Sequence, residues 1–106
     1  MPVLKVFRAA EWAAFRESGR FAGSADDLRD GFIHLSTPEQ LAGTLARHFA
    51  GETGLVLAEV KVEGDPALRW EESRGGALFP HLYRALASSD IVSAAPLAGS
   101  AEAPAS

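Results

Sequence analysis

Two short segments of this chain carry polar side chains at alternate positions. His34 and Ser36 stand two residues apart in an otherwise apolar segment, and His81 and Tyr83 stand two residues apart in FPHLY. Because alternate residues of a strand face the same side, each segment predicts two polar groups presented together. A buried imidazole must find a hydrogen-bond partner. His34 therefore either donates to a ligand hydroxyl or phosphate, or is satisfied by a backbone carbonyl.

A phenol ring and a carboxylate complete the candidate groups. Tyr83 could stack on a flat base while His81 hydrogen-bonds beside it, or the two could be ordinary core and surface residues. Glu71 and Glu72 are adjacent, so only one of them can point into a shared pocket. A carboxylate near an apolar ring has a raised pKa, which suits acid or base chemistry, and a solvated pair is the alternative. No metal site is expected, since no two histidines have the close spacing of common zinc motifs.

Turn residues and hydrophobic periodicity place these groups on strands and helices. The clearest element is a helix that starts after Thr37, because Pro38 fits its first position and Gln40 can complete a capping box. Gly51 is expected to close that helix, and the polar residues 20–30 predict a loop. The other expected elements are a strand at 3–8, a helix at 10–18, and strands at 30–36, 55–62, from 68, and 90–97. This order predicts a compact α+β domain with a mixed or split β-sheet and two helices.

Length and composition restrict the classes of function. The chain has 106 residues, 47% of them hydrophobic, which predicts one globular domain over residues 1–97 and a disordered tail at 98–106. The absence of cysteine excludes thiol chemistry and favours a reducing cytoplasm. A net charge of −4 argues against general nucleic-acid binding. No apolar stretch has the length of a membrane span.

The motifs taken together resemble those of a family of small bacterial proteins catalogued as a domain of unknown function. They are GFIH-x-S, then Glu39 and Gln40, then Trp70 and Glu71, then FPH-x-Y. The likeness extends from residue 3 to about residue 97. That family resembles a compact form of the ADP-ribosyltransferase fold, in which a split β-sheet holds NAD or a related ADP-ribose-bearing ligand in a cleft.

The resemblance implies a role for several candidates. His34, with Ser36, would hydrogen-bond a ribose of the dinucleotide. Tyr83 would lie at the nicotinamide ribose. Glu71 would stabilise the oxocarbenium-like state as the glycosidic bond breaks. The order differs from the usual one, in which the acid comes last, because Glu71 precedes Tyr83 here.

One preferred hypothesis and two alternatives follow. The preferred one is a cleft that binds a nucleotide-like ligand, NAD or ADP-ribose, with NAD as a possible substrate of an ADP-ribosyltransferase-like enzyme. Its lining would consist of His34, Ser36, Glu71, His81 and Tyr83. In the first alternative, a non-catalytic binding or interaction module, the same residues form a structural polar network. In the second, a small hydrolase, Glu71 and His81 act as an acid and base pair.

Overall fold

Residues 2–97 are described by a computed structural model, and they form antiparallel sheets flanked by helices. The strands are β1 (Val3–Phe7), β2 (Arg20–Phe21), β3 (Ile33–His34), β4 (Val56–Val60), β5 (Leu68–Glu72), β6 (Leu78–Leu82), β7 (Leu86–Ala87) and β8 (Ile91–Pro96). The helices are α1 (Ala9–Ser18), α2 (Ala25–Asp30) and α3 (Pro38–His48), with short 3-10 turns at Arg74–Gly76 and Ser88–Asp90. The expected α+β class is confirmed. The tail predicted at 98–106 lies outside the described residues.

Two three-stranded sheets carry most of the fold, and one backbone contact joins them. Their strand orders are β1-β4-β8 and β3-β6-β5, and β2 and β7 form a separate two-stranded ribbon. All of these pairings are antiparallel. Leu4 and Ser36 exchange backbone hydrogen bonds of 2.8 and 2.9 Å. The edge of β1 is therefore tied to the chain just after β3.

Aromatic side chains pack α1 against strand β1. Phe7 of β1 lies 5.1 Å from Trp12, 5.7 Å from Phe15 and 4.9 Å from Phe21, measured between ring centroids. Phe7, Phe15 and Phe21 are buried. Rings in such tilted and offset contacts stabilise a core beyond the free energy of area burial alone. This cluster fixes α1 against the strands.

Helix α3 begins as its sequence predicts. The Thr37 side chain accepts from the backbone N–H of Gln40, and the Gln40 side chain accepts from the backbone N–H of Thr37. The predicted end at Gly51 is wrong, because the helix stops at His48 and Phe49 caps it. Phe49 is buried in a second apolar cluster, with Leu41 and Leu45 packed against it. Burial of that ring ends the helix before the glycine is reached.

The predicted loop at 20–30 is wrong, and so is the prediction of only two helices. Strand β2 and helix α2 lie in this segment. Helix α2 has a capping box, in which Ser24 and Asp27 each accept a backbone hydrogen bond from the other, and it ends at Gly31 in the left-handed region with φ 89°. The sequence of α2 has no apolar stripe, and its one large apolar side chain, Leu28, is 64% exposed.

In residues 2–97, no helix combines the length and the apolar character needed to cross a membrane.

Candidate functional site

Three of the five predicted site residues line one cleft. His34, Ser36 and His81 border a cavity of about 230 Å³, and α3 forms its opposite wall with Gln40, Gly43, Thr44, Arg47 and other residues. We call this cavity the α3 cleft. His34 and His81 are directly paired in the β3–β6 ladder. Antiparallel pairing therefore brings together two imidazoles that are far apart in sequence, with ring centroids 5.7 Å apart.

The His34 ring lies between two carboxylates of α2. Its Nδ1 is 2.6 Å from Asp27 Oδ1, and its Nε2 is 3.0 Å from Asp30 Oδ2. Only the doubly protonated ring can donate to both carboxylates at once. The two partners differ in accessibility, because the side chain of Asp27 is 2% exposed and that of Asp30 is 33% exposed. Asp27 thus fixes the ring from the buried side, and Asp30 is the more accessible of its two partners.

Asp27 is the centre of a buried polar network that the sequence analysis missed. Its Oδ2 accepts from Lys5 Nζ at 2.9 Å, and its Oδ1 accepts from the backbone N–H of His34 at 3.0 Å. Burial alone would raise the pKa of Asp27, but the hydrogen bond from His34 and the charge of Lys5 outweigh it and hold that pKa well below its usual range. The sequence did contain a signal for a buried Lys5. Lys5 lies two residues from each of the core residues Val3 and Phe7 in β1, and so on the same face of the strand.

The second imidazole is held by Glu71. His81 Nδ1 lies 2.8 Å from Glu71 Oε1, and the same oxygen accepts from the Tyr83 hydroxyl at 2.7 Å. The hydrogen bonds from His81 and Tyr83 lower the pKa of Glu71. The expected raised pKa is therefore wrong, because these donors stabilise the carboxylate more than the neighbouring rings desolvate it. The pKa of Tyr83 is raised, chiefly by its hydrogen bond to Glu71.

His81 lines the α3 cleft, and its other ring nitrogen is not fully buried. Phe32 stacks on this ring at 4.0 Å with an interplanar angle of 22°. Within residues 2–97, Nε2 makes no hydrogen bond, and no fully buried side-chain nitrogen or oxygen there lacks a partner, so Nε2 keeps contact with solvent. Donation of Nδ1–H to Glu71 leaves the lone pair of a neutral ring on Nε2. Glu71 orients the imidazole of His81, and His81 in turn lines the cleft. This arrangement is typical of a carboxylate and imidazole pair that transfers a proton.

Glu71 and Tyr83 do not line this cleft, and the hydroxyl of Ser36 already has a protein partner. Glu71 and Tyr83 line a separate exposed concavity together with Arg69, and they reach the α3 cleft only through His81. Ser36 does line the cleft, but its hydroxyl is buried and lies 2.8 Å from Thr44 Oγ1. That contact ties the end of β3 to α3.

The sequence analysis also missed the wall that α3 contributes. The residues of α3 that line the cleft recur every three or four positions along the helix, and they include Gln40, Gly43, Thr44 and Arg47. Leu41 and Leu45 lie on the opposite, apolar side. The signal was a polar stripe complementary to the apolar one. No three histidine, aspartate or glutamate side chains gather as metal ligands in the part of the chain described.

Comparisons with known proteins identify the family. Residues 6–94 match the family described as protein of unknown function, DUF952. An X-ray structure of protein CC0527 from Caulobacter crescentus is 50% identical in sequence, with a TM-score of 0.87, covering 92% of this chain and 86% of that chain. The solution NMR structure of CC0527 gives a TM-score of 0.81 at 50% identity, covering 91% and 84%. No curated protein matches. Because the match spans most of its length, the chain belongs to the DUF952 family.

Proposed function

We propose that the α3 cleft binds a nucleotide-like ligand, NAD or ADP-ribose. The observation that carries this proposal is the meeting of His34 and His81 across β3 and β6 at a cleft of about 230 Å³. Ligand pockets commonly measure about 300–1,000 Å³. The cleft therefore suits one ribose and its substituents, with the rest of the ligand lying along the adjoining surface.

A ribose hydroxyl would replace Asp30 as the hydrogen-bond partner of His34 Nε2. The hydroxyl can accept from His34 Nε2, while the buried Asp27 keeps Nδ1 engaged and the ring in place. His81 Nε2 offers a second contact from the opposite strand. This arrangement agrees with the ribose-binding role that the ADP-ribosyltransferase resemblance gives to His34.

Calorimetry tests the proposal directly. NAD, ADP-ribose and adenosine are titrated against the wild-type protein, His34→Ala and Asp30→Ala, with circular dichroism as the check on folding. We expect saturable binding of at least one dinucleotide or ADP-ribose, weaker binding by His34→Ala, and tighter binding by Asp30→Ala because the competing carboxylate is gone. Absence of heat and of thermal protection at millimolar ligand would refute the proposal.

A second candidate is the structural network, in which these polar residues only stabilise the fold. The contacts of Lys5, Asp27 and His34 favour it, because both ring nitrogens of His34 already have partners. In that case His34→Ala lowers the unfolding temperature and no nucleotide raises it. The Asp30→Ala variant separates the two candidates, because the structural network predicts no gain in affinity for any ligand.

A catalytic function would depend on the pairing of Glu71 with His81. In an ADP-ribosyltransferase-like or hydrolytic reaction, an acceptor hydroxyl or water would form a bond to C1′ of the ribose as the bond to nicotinamide breaks. Nicotinamide would leave as a neutral base, and His81 Nε2 would take the proton that the attacking hydroxyl or water loses. Release of nicotinamide from NAD, followed over a range of pH for the wild type and His81→Gln, tests this. Binding without release in either protein would make the site a binding module.

A further inference from the structure

We propose that Arg47, beside the space left open by Gly43, forms an anion subsite in the α3 cleft, which takes a phosphate group of the ligand. This inference rests on the proposed function, since it assigns the part of the cleft that would receive the phosphate of a ribose-bearing ligand. The imidazoles of His34 and His81 lie on the strand side of the cleft, and Arg47 lies on the helix side.

The position of Arg47 follows from the two faces of α3. Gly43 and Arg47 are four residues apart, so they lie on the same side of the helix, one turn apart. Both line the cleft. Leu41 and Leu45 face the apolar cluster around Phe49. Packing of that apolar side against the core leaves the polar side with Arg47 directed to the cleft.

Arg47 also has no carboxylate partner in the described part of the chain. Arg8, Arg29 and Arg84 do form ion pairs. Within residues 2–97, Arg16, Arg20 and Arg69 do not, but of these unpaired arginines it is Arg47 that lines the α3 cleft. Glu39 lines the same cleft, but it precedes Arg47 by eight residues, or about 12 Å along the helix axis at 1.5 Å per residue. A guanidinium without a partner can bind a phosphate through two parallel N–H donors.

Gly43 keeps space open beside this guanidinium. A Cβ placed there would meet no atom within 4 Å, so no protein contact requires glycine. Glycine is unfavourable in the interior of a helix relative to alanine. Because Gly43 faces the cleft one turn before Arg47, its missing side chain lets a ligand group approach the helix backbone.

The first experiment compares ligands with and without phosphate. Adenosine, AMP and ADP-ribose are titrated by calorimetry against the wild type, Arg47→Gln and the control Arg16→Gln. Arg16 is a matched control because it also lies exposed in the last turn of a helix, outside this cleft. We expect Arg47→Gln to weaken AMP and ADP-ribose binding by about 10- to 100-fold and to leave adenosine binding unchanged. Equal affinities for Arg47→Gln and Arg16→Gln would overturn the subsite while leaving the proposed function intact.

The second experiment tests the space at Gly43. Gly43→Leu is expected to reduce ADP-ribose affinity several-fold and to keep the helical circular dichroism signal, whereas the neighbouring exposed Ala42→Leu changes neither. If the wild type binds no nucleotide, the proposed function fails, and the subsite is then tested alone with inorganic pyrophosphate. A pyrophosphate-induced NMR shift of the Gly43 backbone amide that is absent in Arg47→Gln would support it, and an unchanged wild-type spectrum would overturn it.

Discussion

Substitution of Asp27 by asparagine should destabilise the fold strongly. The side chains of Lys5 and Asp27 are 5% and 2% exposed, and their charges are 2.9 Å apart. Asp27→Asn keeps the size of the side chain but leaves the Lys5 ammonium buried without a counter-charge. Removing one partner of a buried ion pair costs about 3–5 kcal/mol, a large part of the about 5–15 kcal/mol that stabilises a typical domain.

Acid should weaken the same pair. The pKa of Asp27 in the folded protein lies below the value near 3.9 expected for the unfolded chain. The carboxylate therefore contributes stability above that unfolded value, and the contribution is lost as the pH falls toward the folded pKa. Asp27→Asn has no such group, so its free energy of unfolding should depend less on pH in the acid range.

Urea denaturation followed by fluorescence of Trp12 and Trp70 measures both effects. The matched control is Asp26→Asn, which changes a neighbouring carboxylate of α2 whose exposed pair with Arg29 should contribute less than about 1 kcal/mol.

The double variant Lys5→Met/Asp27→Asn provides the decisive comparison. It should regain part of the stability lost in Asp27→Asn, because methionine removes the unpaired charge while filling a similar volume. The reasoning is refuted if Asp27→Asn behaves like Asp26→Asn. It is also refuted if the double variant is no more stable than the single one.

Three further predictions concern single side chains. Gly43→Ala should raise the free energy of unfolding in urea by up to about 1 kcal/mol, since its methyl group meets open space; a loss of stability would contradict this. Glu71→Gln should lower the pKa of Tyr83 toward its ordinary value, because the carboxylate that accepts a hydrogen bond from its hydroxyl is gone. Ultraviolet titration of this single tyrosine reports the change, with Glu72→Gln as the control. Arg84→Met should lower the unfolding temperature at neutral pH, because Asp65 and Asp90 lose their ion-pair partner. The difference in unfolding temperature from the wild type should shrink in acid. The pKa values of both aspartates are lowered in the folded protein, so their protonation at low pH removes the same ion pairs from the wild type.

Much of the site was visible in the sequence as separate pieces. The alternation around His34 and His81 predicted two presented imidazoles, and the structure pairs them across one ladder. Asp27 escaped prediction because its partners are distant in sequence, with Lys5 22 residues away. The pKa of Glu71 was assigned the wrong direction because two hydrogen-bond donors, rather than nearby rings, control it.

The sequence by itself determined the local features, above all the capped start of α3 at Thr37. Such features depend on residues within one or two turns, which is why they could be read from the chain. Only the tertiary structure decided that β3 lies beside β6, that α3 lies across from them, and that Asp27 rather than a backbone carbonyl is the hydrogen-bond partner of His34 Nδ1. Those outcomes depend on strand register and core packing, which the whole chain sets together.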